Sequence, residues 1–141
     1  IKQLDMELWD APFPVIAFVW WPLCLYSGWI SVAIIANVAS FLNGMFEIPE
    51  NQQILATICL IVIATVINLL MIWYRNMREY AAVAVWALVA IYVRHMGTMD
   101  DIAYLALGAA IVLFLNTMVH GYQNRATNPM LKFKQWRASK A

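Results

Sequence analysis

The sequence predicts an all-α integral membrane protein: four transmembrane helices in an antiparallel up-down bundle, with both ends on the same, cytoplasmic-type side. Three observations carry that expectation. Of 141 residues, 64% are hydrophobic and only 12% charged, with a mean hydropathy of +0.69; soluble domains carry roughly 45–50% apolar and about 25% charged residues. The apolar residues gather into four long runs separated by short polar joints. Eight of the nine Lys and Arg residues fall on one side of the resulting alternation.

A chain this short buries only ~60–70% of the surface it exposes when unfolded, so the apolar excess must face lipid. That excludes a soluble enzyme, a disordered tail, a disulfide-stapled secreted domain and a nucleic-acid-binding module. The net charge of +1 supplies no global field for nucleic acid or an acidic substrate. Lys2, Asp5, Glu7 and Asp10 break up the first ten residues, which lack the charged-then-apolar order of a signal peptide.

Crossing ~30 Å of hydrocarbon takes about 20 apolar residues at ~1.5 Å rise each. The first expected span, 15–42, carries no charge; Pro12 and Pro14 suit its entry, and Pro22 should kink it or define its true start. Asn43-Gly44 reads as its stop. The second span, 53–74, has Pro49 ahead of it and Asn51 as the expected N-cap. The third, 79–93, is the shortest and the richest in alanine. The fourth, 100–122, is preceded by Thr98, which with Asp101 resembles a capping box, and Asp100 and Asp101 favour the positive end of the helix dipole. Residues 1–125 therefore read as one transmembrane domain. Residues 126–141 read as a basic tail with Phe133 and Trp136 among its cations, either lying on anionic headgroups or serving as a solvated stop-transfer tail.

Orientation follows from the cations. Lys2, Arg75, Arg78, Arg125, Lys132, Lys134, Arg137 and Lys140 share one side, whereas Arg94 lies opposite, beside Glu47, Glu50, Asp100 and Asp101. Both ends are expected to face the cytoplasm or its organellar equivalent, in a bacterial inner membrane or an organellar membrane. Trp20, Trp21, Trp73 and Tyr74 fit an aromatic belt on that side.

No ionisable residue falls at the centre of a span, which argues against a proton pump, ion exchanger or voltage sensor. His95 and His120 end two successive helices and so lie near opposite membrane faces, about 30 Å apart, too far to ligate one haem. Cys24 and Cys59 differ in depth in the same way, so no disulfide is expected between them. Zinc-type spacing, a phosphate-binding glycine loop and a Ser/His/Asp constellation are all missing from the sequence. The expectation is no catalytic residue, no metal site and no resident cofactor.

Uncharged polar groups remain. Ala33, Ala36, Asn37 and Ser40 follow helical spacing and share one face, while Ser27 and Ser31 form a small-xxx-small pair. Such a face is either a helix-packing seam or a ligand-facing wall. Ser27, Asn68 and Asn116 each stand ~24 Å from the outer end of their helix. They are expected to form a polar packing tier, each Asn contributing about 0.6–2 kcal/mol as interhelical glue.

The first helix reads Pro22-Leu-Cys-Leu-Tyr26-Ser-Gly28-Trp29-Ile-Ser31-Val-Ala33-Ile-Ile-Ala36-Asn37, continuing to Leu42-Asn43. This resembles the last helix of the translocator protein family (TspO/MBR, the tryptophan-rich sensory proteins), whose pattern is Pro-Tyr-x-x-Trp-x-x-x-Ala-x-x-Leu-Asn. The segment Ala-Val-Trp86-Ala-Leu-Val-Ala-Ile is similar to a three-helix extension found in the longer bacterial-type members. The resemblance implies a non-enzymatic bundle that holds a tetrapyrrole or sterol-like ligand against tryptophans, in a regulatory or carrier role. It places Tyr26, Trp29, Ala33 and Asn37 at the ligand. The family's earlier Trp- and Pro-rich helices are not found in these residues. Leu70-Tyr74-Arg78 and Val119-Tyr122-Arg125 also match short sterol-contact patterns that are frequent at helix ends. The other reading is a small accessory subunit of a larger membrane complex. The expected partners are the bilayer, other membrane subunits or a second copy, and no nucleic acid.

Overall fold

The computed structural model describes residues 11–46, 49–123 and 129–139, and every regular element among them is helical. A short helical turn at Phe13–Val15 and a π-helical turn at Ile16–Trp20 lead into α1 (Trp21–Phe46). Then follow α2 (Glu50–Arg75), α3 (Arg78–His95), α4 (Asp100–Gln123) and α5 (Pro129–Ala138).

The π-turn sits where Pro22 requires an adjustment. Proline has no N–H to give the carbonyl four residues back, and its ring crowds that carbonyl. Widening the preceding turn re-spaces the ladder, and the Trp21 N–H closes it on the Ile16 carbonyl. Pro22 thus marks the start of regular α-helix. The expected stop at Asn43-Gly44 does not operate, because α1 continues to Phe46. A glycine inside a helix costs only about 1 kcal/mol, too little to end one.

At the start of α2 the Pro49 carbonyl accepts from the Gln52 and Gln53 N–H groups at 2.9 and 3.0 Å. Asn51, the expected cap, lies one residue inside the helix and its side chain accepts from the Gln52 N–H. Asn76 ends α2 in the left-handed region at φ 56°, with its N–H on the Ile72 carbonyl; Asn tolerates that conformation better than most residues. Only Asn76 and Met77 separate α2 from α3. Gly97, at φ 80°, turns the chain between α3 and α4. The Thr98–Asp101 box is replaced by other bonds: Thr98 donates to the His95 carbonyl, and Asp100 accepts from the Gly97 N–H at 2.9 Å.

Among the described residues, three stretches are long and apolar enough to cross a membrane: Phe13–Val38, Asn51–Arg75 and Asp100–Gln123. At 18 residues, α3 is shorter and carries Arg78, Glu79 and Arg94 in its end turns. It is the interior strut, packed against α1, α2 and α4. Its small residues explain this. Ala81, Ala84 and Leu88 meet Ala106, Ala110 and Leu113 of α4 and Ile61 and Ile72 of α2 in one buried cluster. Lipid tails are as apolar as any side chain, so helices in a bilayer associate by close backbone approach rather than by escape from water.

A second cluster gathers Ala11, Ile16, Trp20 and Cys24 against Met77 and Tyr80, where the N-terminal segment crosses the α2–α3 turn. The N-terminal segment also meets α5. Lys132 Nζ donates to the Ala11 carbonyl at 3.0 Å, and Phe13 stacks on Phe133 and Trp136 with centroids 5.0 and 5.8 Å apart.

Gly28 is where α1 touches α3. A Cβ there would stand 2.9 Å from the Tyr80 carbonyl oxygen and 3.2 Å from Val83. Gly28→Ala should therefore lower stability by about 1–3 kcal/mol, as overpacking does elsewhere. Gly108→Ala, with nothing within 4 Å of its Cβ, should not destabilise. Thermal unfolding of both variants in the same detergent checks the contrast.

Candidate functional site

An apolar groove of about 140 Å³ lies between α1, α2 and α3. Its floor is the buried Ile61, Ala84 and Leu88, and its half-buried walls include Val32, Thr57 and Ala87. Ala36, at the lip, is exposed, so the groove opens to the outside of the bundle beside α1. Four of its lining residues (Ala36 at the lip, half-buried Ala64 and Ala87, and buried Ala84) are alanines, whose short side chains leave the space open. Its one side-chain polar group is committed, since the Thr57 hydroxyl donates to the Gln53 carbonyl of its own helix at 2.8 Å.

On α2 the lining runs Thr57, Leu60, Ile61, Ala64. One turn further on the same face is Asn68, which is buried. Its amide donates to the Ala64 carbonyl at 2.8 Å, and its Oδ1 has no hydrogen-bond donor among the described residues.

The four family-matched residues do not line this groove. Tyr26, Trp29 and Asn37 are exposed and Ala33 is half-buried. Their helical spacing places them together on the outward side of α1, and Trp29 pairs there with Trp86 of α3 at a centroid distance of 6.2 Å. Ser40 is also exposed. Within the small-residue set, only Ala36 reaches the groove.

The expected polar tier is divided among separate contacts. Ser27 donates to the Leu23 and Cys24 carbonyls of its own helix. Asn116 donates to the Val112 carbonyl and accepts from Trp73 Nε1 at 3.3 Å, joining α4 to α2. Ser31 accepts from the buried Tyr80 phenol at 2.8 Å and donates to the Ser27 carbonyl, joining α1 to α3. The partners Trp73 and Tyr80 each carry one polar group on a large apolar body, so the sequence pattern does not mark them as polar contacts. The signal available for Tyr80 was its place in the first turn of α3, where a phenol finds a neighbouring helix.

His120 is buried with its ring edge-on to Trp73 at 5.3 Å. Neither Cys24 nor Cys59 forms a disulfide, and no set of three or more His, Cys, Asp or Glu side chains gathers among the described residues. A separate cleft of about 450 Å³ lies between the N-terminal segment and α5, lined by Pro12, Phe13, Lys132, Gln135 and Trp136 among others.

The TSPO-like protein family matches residues 1–119. The chain belongs to that family. The match takes in α1 to α3 and most of α4, far more than the single-helix motif. No curated protein and no solved structure matches the chain. As a TSPO-like protein it is a membrane protein of the TspO type, and its apolar helices contact the bilayer.

The Tyr80–Ser31 bond is testable by a double-mutant cycle of Tyr80→Phe and Ser31→Ala. The two changes should couple by about 0.6–1.7 kcal/mol, as polar pairs between membrane helices do. Additive losses in detergent unfolding would show that the bond contributes nothing.

Proposed function

We propose that the protein is a non-enzymatic membrane protein that holds a hydrophobic ligand between its helices, in a regulatory or carrier role. The observation that carries this reading is the half-open apolar groove at the middle of α2 and α3, lined by four alanines. Ligand sites are concave, mostly apolar and few per protein. The family membership agrees, since the resemblance implies a tetrapyrrole or sterol-like ligand.

The arrangement we propose is four antiparallel spans, with α3 crossing as a short helix sheltered by its neighbours. Successive contacts support it. Gly28 and Ser31 of α1 lie against Tyr80 of α3, and Val32 and Ala36 share the groove with Ala84, Ala87 and Ile91 further along both helices. On the other pair, α2 meets α4 near Ile54 and Ile102 and again at Trp73 and Asn116. The contact of Ala11 and Phe13 with α5 supports ends on one side, and the distribution of Lys and Arg makes that side cytoplasmic in type.

Tryptophan fluorescence of the purified chain in detergent tests the reading. Protoporphyrin IX, the fluorescent sterol dehydroergosterol and the polyene fatty acid cis-parinaric acid would each be titrated. At least one should give a saturable signal at about one per chain. Ala36→Leu should weaken a ligand seated in the groove, and Trp29→Phe or Asn37→Ala one seated on the outer face of α1. Linear, unsaturable partitioning of all three probes would remove the reading.

One observation favours a second reading, an accessory subunit of a larger assembly. Asn37 and Ser40 are polar groups on the outside of the bundle, and such groups at membrane depth usually meet another helix. Native mass measurement after mild extraction should then find a stoichiometric complex with a different protein. A lone chain or a homodimer counts against it.

A further inference from the structure

We infer that the groove takes a single hydrocarbon chain, the acyl or isoprenoid tail of a lipid, entering sideways from the bilayer. This rests on the ligand-binding reading above and narrows it to one chemical class. The first ground is size. An apolar cavity of ~150 Å³ holds one benzene ring, and the groove encloses about 140 Å³. Ring systems of drug-like or cofactor size occupy pockets of roughly 300–1,000 Å³. A flat macrocycle exceeds the groove's volume and would lie largely outside it, whereas a flexible chain a few carbons thick fits within it.

The second ground is chemistry. A tetrapyrrole brings ring nitrogens and carboxylates, and a sterol brings a hydroxyl; each needs a partner when taken from water or headgroups. The lining residues are aliphatic apart from Thr57, whose hydroxyl is held by the Gln53 carbonyl. A saturated or polyene chain asks for no hydrogen bond. The third ground is shape and depth. From Thr57 to Ala64 the lining runs about 10 Å along α2 at ~1.5 Å per residue, at the middle of that helix. Such a slot follows a tail and leaves its headgroup outside, in the interface. Asn68, one turn past Ala64 and buried with an unpartnered Oδ1, is a polar stop against which hydrocarbon gains nothing by advancing.

The test uses the full chain in detergent micelles with cis-parinaric acid as probe and oleic acid as competitor. Energy transfer from tryptophan should saturate and be reversed by oleic acid. Ala64→Phe and Ala87→Phe fill the slot and should each weaken binding by about tenfold or more, the loss of burial for two or so methylenes. Val62→Phe, on the exposed side of α2, should leave it unchanged. If a Phe variant fails to fold by circular dichroism, Ala36→Leu probes the same slot with a smaller change. Parinaric acid that never saturates, or that binds the filled variants as tightly as the parent, overturns the inference. Saturation by protoporphyrin IX or dehydroergosterol alone also overturns it, while leaving the ligand-binding reading in place; saturation by none of the probes ends both.

Discussion

The approach of α1 to the Tyr80 carbonyl of α3 sets the geometry of the bundle. Gly28 is the one residue type that fits there, with a Cβ position only 2.9 Å from that oxygen. Three residues on, the Tyr80 phenol reaches Ser31. Backbone contact and hydrogen bond together fix where α1 lies on α3, and α3 in turn supports α2 and α4 through its alanine face. In a solvent that offers apolar groups no reason to cluster, such contacts hold the helices together.

That arrangement also determines what becomes of the rest of α1. Pinned at Gly28 and Ser31, the helix presents Val32 and Ala36 to α2 and α3, while Tyr26, Trp29 and Asn37 lie exposed on the adjoining outer surface, Trp29 against Trp86 of α3. The groove and the family motif thus use neighbouring strips of one helix, Ala36 of the groove standing two turns on from Trp29 and beside Asn37 in sequence.

The helical content and lipid setting were legible because both follow from sums: apolar run length and charge distribution. Ends were less legible. Gly44 did not stop α1, because the local cost of one glycine is outweighed by continued helix; Pro49 rather than Asn51 took the cap of α2, through its carbonyl and not its side chain. Spacing groups Ala33, Ala36, Asn37 and Ser40 on one face, but a helical wheel has no compass. Which face turns inward depended on Gly28 and Tyr80, two residues 52 positions apart in the sequence. Asn68 and Asn116 were placed by depth alone, and depth does not reveal rotation. One bonds within its helix and the other finds Trp73. The groove was the least legible feature, because it is made of what four alanines leave out.

A hollow built by omission has an uneven relation to change. A bulkier aliphatic residue at 36, 64 or 87, on the lip and half-buried walls, adds contacts and, where it fits, tightens the bundle. Selection for thermal robustness alone would therefore silt the hollow up. Persistence of those three alanines under such selection would itself be a record of use, legible without knowing the occupant.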